Sequence, residues 1–514
     1  MLPILPPIQV TGCKMEPSET GQALPPQAVI RFALTPGAAA ALARHKLLEA
    51  PATPPRAQNL AEAWFDTPGL TLLRHGFALS TAKARRGHVQ MLRQAGECVS
   101  APIPGPAPDP AALPPAQAEA LAALVADEAL QLAFSLRTRR LTRRAGRVTL
   151  RFESGALQAG AERQGFCELE LSGPAAETYA LALALAEEQP LILQPASLAQ
   201  RGMWAVGVAR PGAVKAGPGL TGAICLDDAI TALTQSCLSQ FTANWPGFAA
   251  GAEVEAVHQM RVAMRRLRSV LGLFNRAFAV PGFAAFREEA KRIAATMGEA
   301  RNWDVFTAML QDGPVRALPH EPGFAVLLSQ CAAFRAMGYA HVRAVLADPA
   351  TTRFLLTVEL FLARHGWRNG LPPEALTILA APARDFAAPQ LARLHRKVRK
   401  RGRHLAHLSA HDRHLTRIEL KKLRYATDLF GGLFEGRGRV KTYANAAADL
   451  QEVLGTLNDL ATAQALLARL DSATPETARA SGIALGWCAH ADCASAKPLG
   501  RSWKAFSGAK QFTG

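Results

Sequence analysis

The sequence predicts two unlike domains, an α+β domain in the N-terminal part and an all-α domain of two related halves in the C-terminal part. Three observations carry this. A basic helix occurs twice, as His258-Gln259-Met260-Arg261-Val262-Ala263-Met264-Arg265-Arg266-Leu267-Arg268 closed by Phe274, and as His414-Leu415-Thr416-Arg417-Ile418-Glu419-Leu420-Lys421-Lys422-Leu423-Arg424 closed by Phe430. The two copies share the pattern H-x-x-R-[VI]-x-x-[RK]-[RK]-L-R-x5-F, every matched position being 156 residues apart. The texture of the chain changes from short strand-like segments to long helical periods across a Pro/Gly-rich stretch at 209–219, which reads as a linker. The charge is uneven as well. Residues 1–218 hold 21 Lys and Arg against 17 Asp and Glu, whereas residues 219–514 hold 37 against 24, so most of the net +17 lies in the helical half.

In chain order, residues 1–24 read as a disordered leader. The run to Cys13 is apolar, but Pro3, Pro6 and Pro7 interrupt it and no Lys or Arg precedes it, so it lacks the charged start of a secretory signal. Met15 is then the expected start. Residues 25–208 form the α+β domain. Within it, 28–34 reads as a strand, Thr35-Pro36-Gly37 opens an Ala-rich helix to about Leu48, and the proline-rich 101–115 reads as a loop. The runs 146–153, 166–171 and 190–194 are strand-like between Gly, Ser and Pro, and 176–188 is helical.

Residues 220–512 form the helical domain. In the first basic helix Val257, Met260, Met264, Leu267, Leu271 and Phe274 make one apolar stripe. His258, Arg261 and Arg265 fall opposite it, Arg268 flanks it and Arg266 leans the other way. Glu253 and Glu255 are expected just before the helix, where they suit its dipole. An upstream helix at about 389–408 is rich in Lys and Arg, while its counterpart around 232–244 has none. Two pseudo-symmetric halves of a helix bundle are the natural architecture.

Composition removes several function classes. No apolar stretch reaches the roughly 18 residues of a membrane span. The eight cysteines make no CxxC pair, and Cys488, His490 and Cys493 fall short of the four ligands of a structural zinc, so the thiols read as ordinary ones in a reducing compartment. The cationic half attracts nucleic acid, anionic lipid or a phosphate polymer without choosing among them.

The duplicated helix, with Met297-Gly298-Glu299-Ala300-Arg301-Asn302-Trp303-Asp304-Val305 and Leu454-Gly455-Thr456-Leu457-Asn458-Asp459, resembles the CHAD family, the histidine α-helical domain. The family's usual Arg-Asp after the glycine motif is Arg301-Asn302 here. The resemblance implies two four-helix bundles and a basic central groove that binds inorganic polyphosphate. It implies a lining of His258, Arg261, Arg265, Arg268, Arg292 and Arg301 from the first half, to which the basic run adds Arg266 as a candidate. From the second half it implies His414, Arg417, Lys421, Lys422 and Arg424, and the upstream basic helix adds Arg396 and Arg399 as candidates.

The N-terminal part is similar to the CYTH domain, an antiparallel β tunnel that takes triphosphate. Trp64-Phe65-Asp66-Thr67-Pro68, Phe166-Cys167-Glu168-Leu169-Glu170-Leu171 and Ser197-Leu198-Ala199-Gln200-Arg201-Gly202 carry the resemblance. The family's opening E-x-E-x-K strand reads Gln27-Ala28-Val29-Ile30-Arg31, its L-R-x-R reads Leu79-Ser80-Thr81-Ala82, and its turn lysine is Leu198. Residues two apart on a strand share a face. Gln27 and Val29 therefore remove two carboxylates that would hold Mg²⁺ or Mn²⁺ and neutralise triphosphate. Glu153, Glu168 and Glu170 remain as a weak metal set, and Arg31, Lys83, Arg85 and Arg93 as residual phosphate contacts.

The expected function is binding of inorganic polyphosphate through the basic groove, with a CYTH-like domain of weak or no activity. The expected location is the cytoplasm, in association with polyphosphate granules. A metal-dependent inorganic triphosphatase, with Mg or Mn as cofactor, is the alternative, and a nucleic-acid binder is the second. Aromatics are 6% of the chain, and apart from Tyr425 neither basic face carries the rings that stack bases. Oligomeric state and preferred polymer length are not fixed by the sequence.

Overall fold

The computed structural model describes residues 26–49, 56–94, 97–126, 128–209, 212–248 and 253–512. The expected leader at 1–24 and the linker residues Arg210 and Pro211 lie outside them. The chain divides into two compact units, Met1–Gly212 with Ala347–Ala363, and Ala213–Leu346 with Arg364–Gly514.

The first unit runs β1 (Gln27–Ala33), α1 (Pro36–Leu42), β2 (Gln58–Asp66), α2 (Thr71–Arg74), β3 (Phe77–Lys83), β4 (His88–Gln94), β5 (Glu97–Ile103), α3 (Pro115–Val125), β6 (Gln131–Ala145), β7 (Val148–Ala159), β8 (Glu162–Pro174), α4 (Ala175–Glu188), β9 (Ile192–Leu193) and α5 (Leu198–Ala205). Its nine strands form one antiparallel sheet in the order β5-β4-β3-β2-β6-β7-β8-β1-β9. Alternation in β1 shows how the sheet is built. Ala28, Ile30 and Phe32 are buried, while Gln27 and Val29 are exposed and Arg31 is half-buried. On the Phe32 side Leu150, Phe152, Leu169 and Leu171 meet Ala182, Leu185 and Ala186 of α4 in one apolar core. On the other side Trp64, Phe134, Leu136 and Leu157 pack against Met203 of α5. Gly202 lets α5 lie close there, because a Cβ would collide with the Phe134 ring. The Ala-rich helix is shorter than expected, ending at Leu42. The proline-rich stretch is only partly loop. Pro102 lies in β5, an edge strand, where a missing N–H is tolerated.

The second unit contains α6 (Leu226–Phe248), α7 (Glu253–Phe278), α8 (Pro281–Leu310), α9 (Gly323–Leu346), α11 (Pro373–Ala380), α12 (Ala383–Arg401), α13 (Ala410–Phe430), α14 (Arg437–Leu467), α15 (Pro475–Ala494) and α16 (Ala496–Gly508), with α10 (Pro349–Ala363) between α9 and α11 in the chain. The duplication extends beyond the motif, since α8 opens at Pro281 and α14 at Arg437, again 156 residues apart. Consecutive helices pack as α6–α7–α8–α9 and as α12–α13–α14–α15, and the halves meet where α7 touches α13 and α8 touches α14. The apolar stripe of α7 is fully inside, with Val257, Met260, Met264, Leu267 and Phe274 at 0% exposure. Each such side chain contributes about 1.5–3 kcal/mol, so the basic face opposite is carried by a rigid element. Glu255 is in the first turn of α7 rather than before it, and accepts from Gln259 Nε2 at 2.7 Å.

One helix departs from the expected division. The sequence places 220–512 in the helical domain, yet Ala347–Ala363 clusters with the sheet unit. Leu356 of α10 is buried in the core beneath β1 and α4, and Thr352 Oγ1 accepts from the backbone N–H of Leu193 at 3.0 Å. An amphipathic period announces a helix but not the surface that covers it. No helix of the described residues is long and apolar enough to cross a membrane.

Candidate functional site

The two basic helices face one cavity of about 560 Å³. From α7 come Arg261, Arg265, Arg268 and Arg276, from α8 Arg287, Lys291 and Asn302, and from α12 Arg393 and Lys397. His414, Arg417, Glu419, Lys421, Lys422 and Tyr425 of α13, Asn458 and Thr462 of α14 and Ser269 of α7 complete the polar lining. Eleven Lys and Arg thus surround a single carboxylate, and that carboxylate is already occupied. Glu419 Oε1 holds Lys397 Nζ at 3.0 Å and Lys422 Nζ at 2.9 Å. Small residues let the guanidinium groups in. A Cβ at Gly298 would stand 3.3 Å from Arg261 Nε, and one at Gly272 3.3 Å from Arg287 Nε.

The electrostatics are those of cations held against one another. Burial, then Arg265, Arg417 and Arg261, push the Lys421 ammonium down to about 6. Burial, then Arg265, bring Arg261 to about 10. Arg417 is lowered by burial and by Arg265, with Asp459 offsetting part of it. Arg268 is lowered by burial and by Arg287. The Nε atoms of Arg261 and Arg417 are buried without a hydrogen-bond partner. Such an arrangement destabilises the empty protein and favours any anion that reaches it.

Seven of the expected residues line the cavity, namely Arg261, Arg265, Arg268, His414, Arg417, Lys421 and Lys422. His414 Nδ1 is 2.6 Å from Asn458 Oδ1. The others lie elsewhere. Arg266 is buried and donates to Gln240 Oε1 at 2.9 Å, so it belongs to the packing between α6 and α7. Arg292 is exposed and bonds Glu289, its Nη2 2.6 Å from Oε1. Arg424 sits 3.6 Å from Asp428. Arg396 and Arg399 are exposed on α12 outside the lining, which Arg393 and Lys397 occupy instead. His258 is half-buried and does not line the cavity, and burial and Arg301 lower its pKa. Arg301 itself does not line it. Sequence reasoning missed Arg276, Arg287 and Lys291. Arg287 and Lys291 stand one turn apart on α8, and that spacing was their only signal.

The sheet unit contrasts with this. Glu170 is bonded by Arg31 at 2.8 Å and by Arg151 at 2.7 Å, Glu153 by Arg140 at 2.5 Å, and Glu168 by Arg201. The register explains it, since Arg31, Glu170 and Arg151 are direct cross-strand partners, as are Glu168, Glu153 and Arg140. Cross-strand partners share a face. Every candidate metal carboxylate therefore has an arginine on it. Burial raises the Glu168 pKa, and Arg201 partly offsets this. Arg93 donates to Ser80 Oγ at 3.0 Å and lies over the Trp64 ring at 5.2 Å. Lys83 and Arg85 are exposed at the β3–β4 turn.

Residues 232–468 match the family model of the CHAD domain. Among solved structures, the chain is similar to the crystal structure of the CHAD domain from the plant Ricinus communis, at 27% identity and a TM-score of 0.49, covering 58% of this chain and 97% of that one. It is also similar to PptA from Streptomyces chartreusis, at 17% identity and a TM-score of 0.41, covering 55% of this chain and 100% of that one. No curated protein matches.

Proposed function

Because residues 232–468 are a CHAD domain, we propose that the helical unit binds linear inorganic polyphosphate along the groove between α7 and α13. The observation that supports this most is the convergence of Arg261, Arg265, Arg417 and Lys421 on one cavity whose single carboxylate is already taken by two lysines. A polymer with about one negative charge per phosphate meets several of these groups at once, and tethering multiplies their modest individual contributions. Arginine suits the task because its planar fork holds two phosphate oxygens. Nucleic acid fits less well, since Tyr425 is the sole aromatic ring on the lining and bases need stacking partners.

On the same reading the sheet unit is a weak triphosphatase or none. Gln27 and Val29 leave no paired carboxylates on β1, and Glu153, Glu168 and Glu170 spend their oxygens on arginines. The reading places the protein in the cytoplasm, with granules as the source of polymer.

The test is binding of long-chain polyphosphate by the full chain and by the variant Arg261→Ala/Arg265→Ala/Arg417→Ala/Lys421→Ala, with duplex DNA of matched charge as competitor. The parent is expected to prefer polyphosphate and the variant to lose most binding. Equal binding by parent and variant, or equal preference for DNA, contradicts the proposal.

A further inference from the structure

The two walls of the groove carry the same motif and differ in what opposes their cations. On α13 Arg417 has Asp459 at 4.0 Å, Lys422 has Glu419 at 2.9 Å and, outside the cavity lining, Arg424 has Asp428 at 3.6 Å, while Lys421 makes no ion pair among the described residues. On the α7 wall Arg261, Arg265 and Arg268 make no ion pair among the described residues. Two substitutions between the halves account for this. Gly272 stands where the other copy has Asp428, 156 residues on, so Arg268 lacks the acid that Arg424 has. Asn302 follows Gly298 by four residues as Asp459 follows Gly455, so an amide takes the place of the acid beside the first arginine.

Asn302 also sits at a junction. It and Arg261 line both the main cavity and a second one of about 340 Å³, which continues past Gly298 to Arg469. The Arg469 guanidinium is fixed over the Trp303 ring at 5.2 Å and the Phe334 ring at 5.1 Å, with Glu299 Oε1 at 3.0 Å from one of its nitrogens. The groove thus has one end where Arg261 has no acid partner and a pocket leads on to Arg469, which Glu299 holds, and one wall where Arg417 and Lys422 are matched by acids.

A linear phosphate polymer is likewise not uniform. Internal phosphates carry one charge, while a terminal phosphate has a second ionisation near neutrality, with a pKa of about 6 by analogy with phosphomonoesters. The more negative group gains more from the unopposed cations.

Resting on the polyphosphate reading, we propose that the groove is directional: the Arg261–Asn302–Arg469 end takes the doubly charged terminal phosphate of the polymer, and the α13 wall holds internal phosphates. Asn302 is the specificity-determining residue. Its amide leaves Arg261 free, and it can donate to a phosphate oxygen where a carboxylate would repel it.

The experiment uses the full chain and polyphosphate of one defined length, either with free ends or with both terminal phosphates capped as neutral-substituted phosphoramidates. Capping is expected to weaken binding by the parent roughly tenfold, the equivalent of about one strong charged contact. Asn302→Asp is expected to weaken binding of the free-ended polymer more than of the capped one and so to shrink the difference. Asp459→Asn, beside Arg417, is expected to strengthen both forms alike and guards against a folding defect at position 302. If the parent binds capped and free-ended polymer equally, or if Asn302→Asp weakens both equally, the directional proposal is overturned while polyphosphate binding stands. If the parent binds neither, both readings fall.

Discussion

The sheet face and the groove are built from the same chemistry and reach opposite ends. On the sheet, Arg31, Arg140 and Arg151 are matched to Glu153 and Glu170 by the register of adjacent strands, and Arg201 of α5 closes on Glu168. In the groove, eleven Lys and Arg face one carboxylate. A face whose charges are satisfied internally has little left to offer a ligand. A face whose cations repel one another holds a deficit that only an outside anion relieves. Removing one partner of a buried pair leaves an uncompensated charge, and removing one of several crowded like charges does the reverse. Charge count alone does not tell a binding surface from a structural one; pairing does.

The contrast is broken most severely by the four-fold alanine variant of the groove. Four charge-assisted contacts at about 1.5 kcal/mol each amount to about 6 kcal/mol of lost polymer binding, roughly ten-thousand-fold in affinity. Its thermal midpoint without ligand is expected to stay level or rise, as read by calorimetry. A large fall in that midpoint would mean that the groove cations are structural.

Arg201→Ala makes the opposite experiment. Glu168, with a side chain 5% exposed, loses its partner, and breaking such a pair costs about 3–5 kcal/mol. Polymer binding should be unchanged. The sign of the pH dependence follows from the Glu168 pKa, which already lies above the ordinary glutamate value and rises further without Arg201. The penalty is therefore present at neutral pH and shrinks as pH falls through the raised pKa, because the carboxyl protonates. Urea denaturation at neutral and mildly acid pH would show the loss shrinking on acidification, and a loss independent of pH would point to packing instead.

Lys421 gives the groove its own pH signature. Its folded pKa of about 6 is below the unfolded value, so the unfolded chain holds the proton more tightly. Through this group, stability of the empty protein rises as pH increases from about 6 toward the ordinary lysine range, and is lowest below 6. Lys421→Met should flatten that rise. Polymer binding at pH 8 should take up a proton, seen as a dependence of the binding heat on buffer ionisation enthalpy, and an unchanged heat would contradict the crowded-cation account.

The smallest effect is expected from restoring acids on β1. Gln27 and Val29 are exposed, with Val29 at 51%, so Gln27→Glu/Val29→Glu should move stability by about 0.5 kcal/mol or less. Tight Mn²⁺ binding is not expected to return, because Glu168 and Glu170 stay on their arginines. A clear Mn²⁺-dependent rise in thermal midpoint would show that those pairs yield to metal.

The duplication made much of the groove legible, since an offset shared by every motif position required two equivalent helices, and α7 and α13 do face one cavity. The apolar stripe from Val257 to Phe274 also fixed which side of α7 was free. The motif did not reveal Arg287 and Lys291, because α8 bears no repeated basic pattern. Helical period alone did not separate Arg393 and Lys397 from Arg396 and Arg399, since all four flank the same buried stripe. On the sheet, the sequence showed which side chains share a strand face but not the register, and it is register that sets Arg31 and Arg151 against Glu170. The destination of α10 was hidden for a similar reason, as Leu356 reads as a core residue of whichever unit covers it.

The most direct test of the central claim is a titration of the full chain with polyphosphates of graded length at fixed salt. Affinity is expected to climb with chain length and level off once the groove is filled, and to fall as salt rises because counterions are displaced. Affinity per molecule that does not change with length, or no saturable binding at any length, would contradict the account.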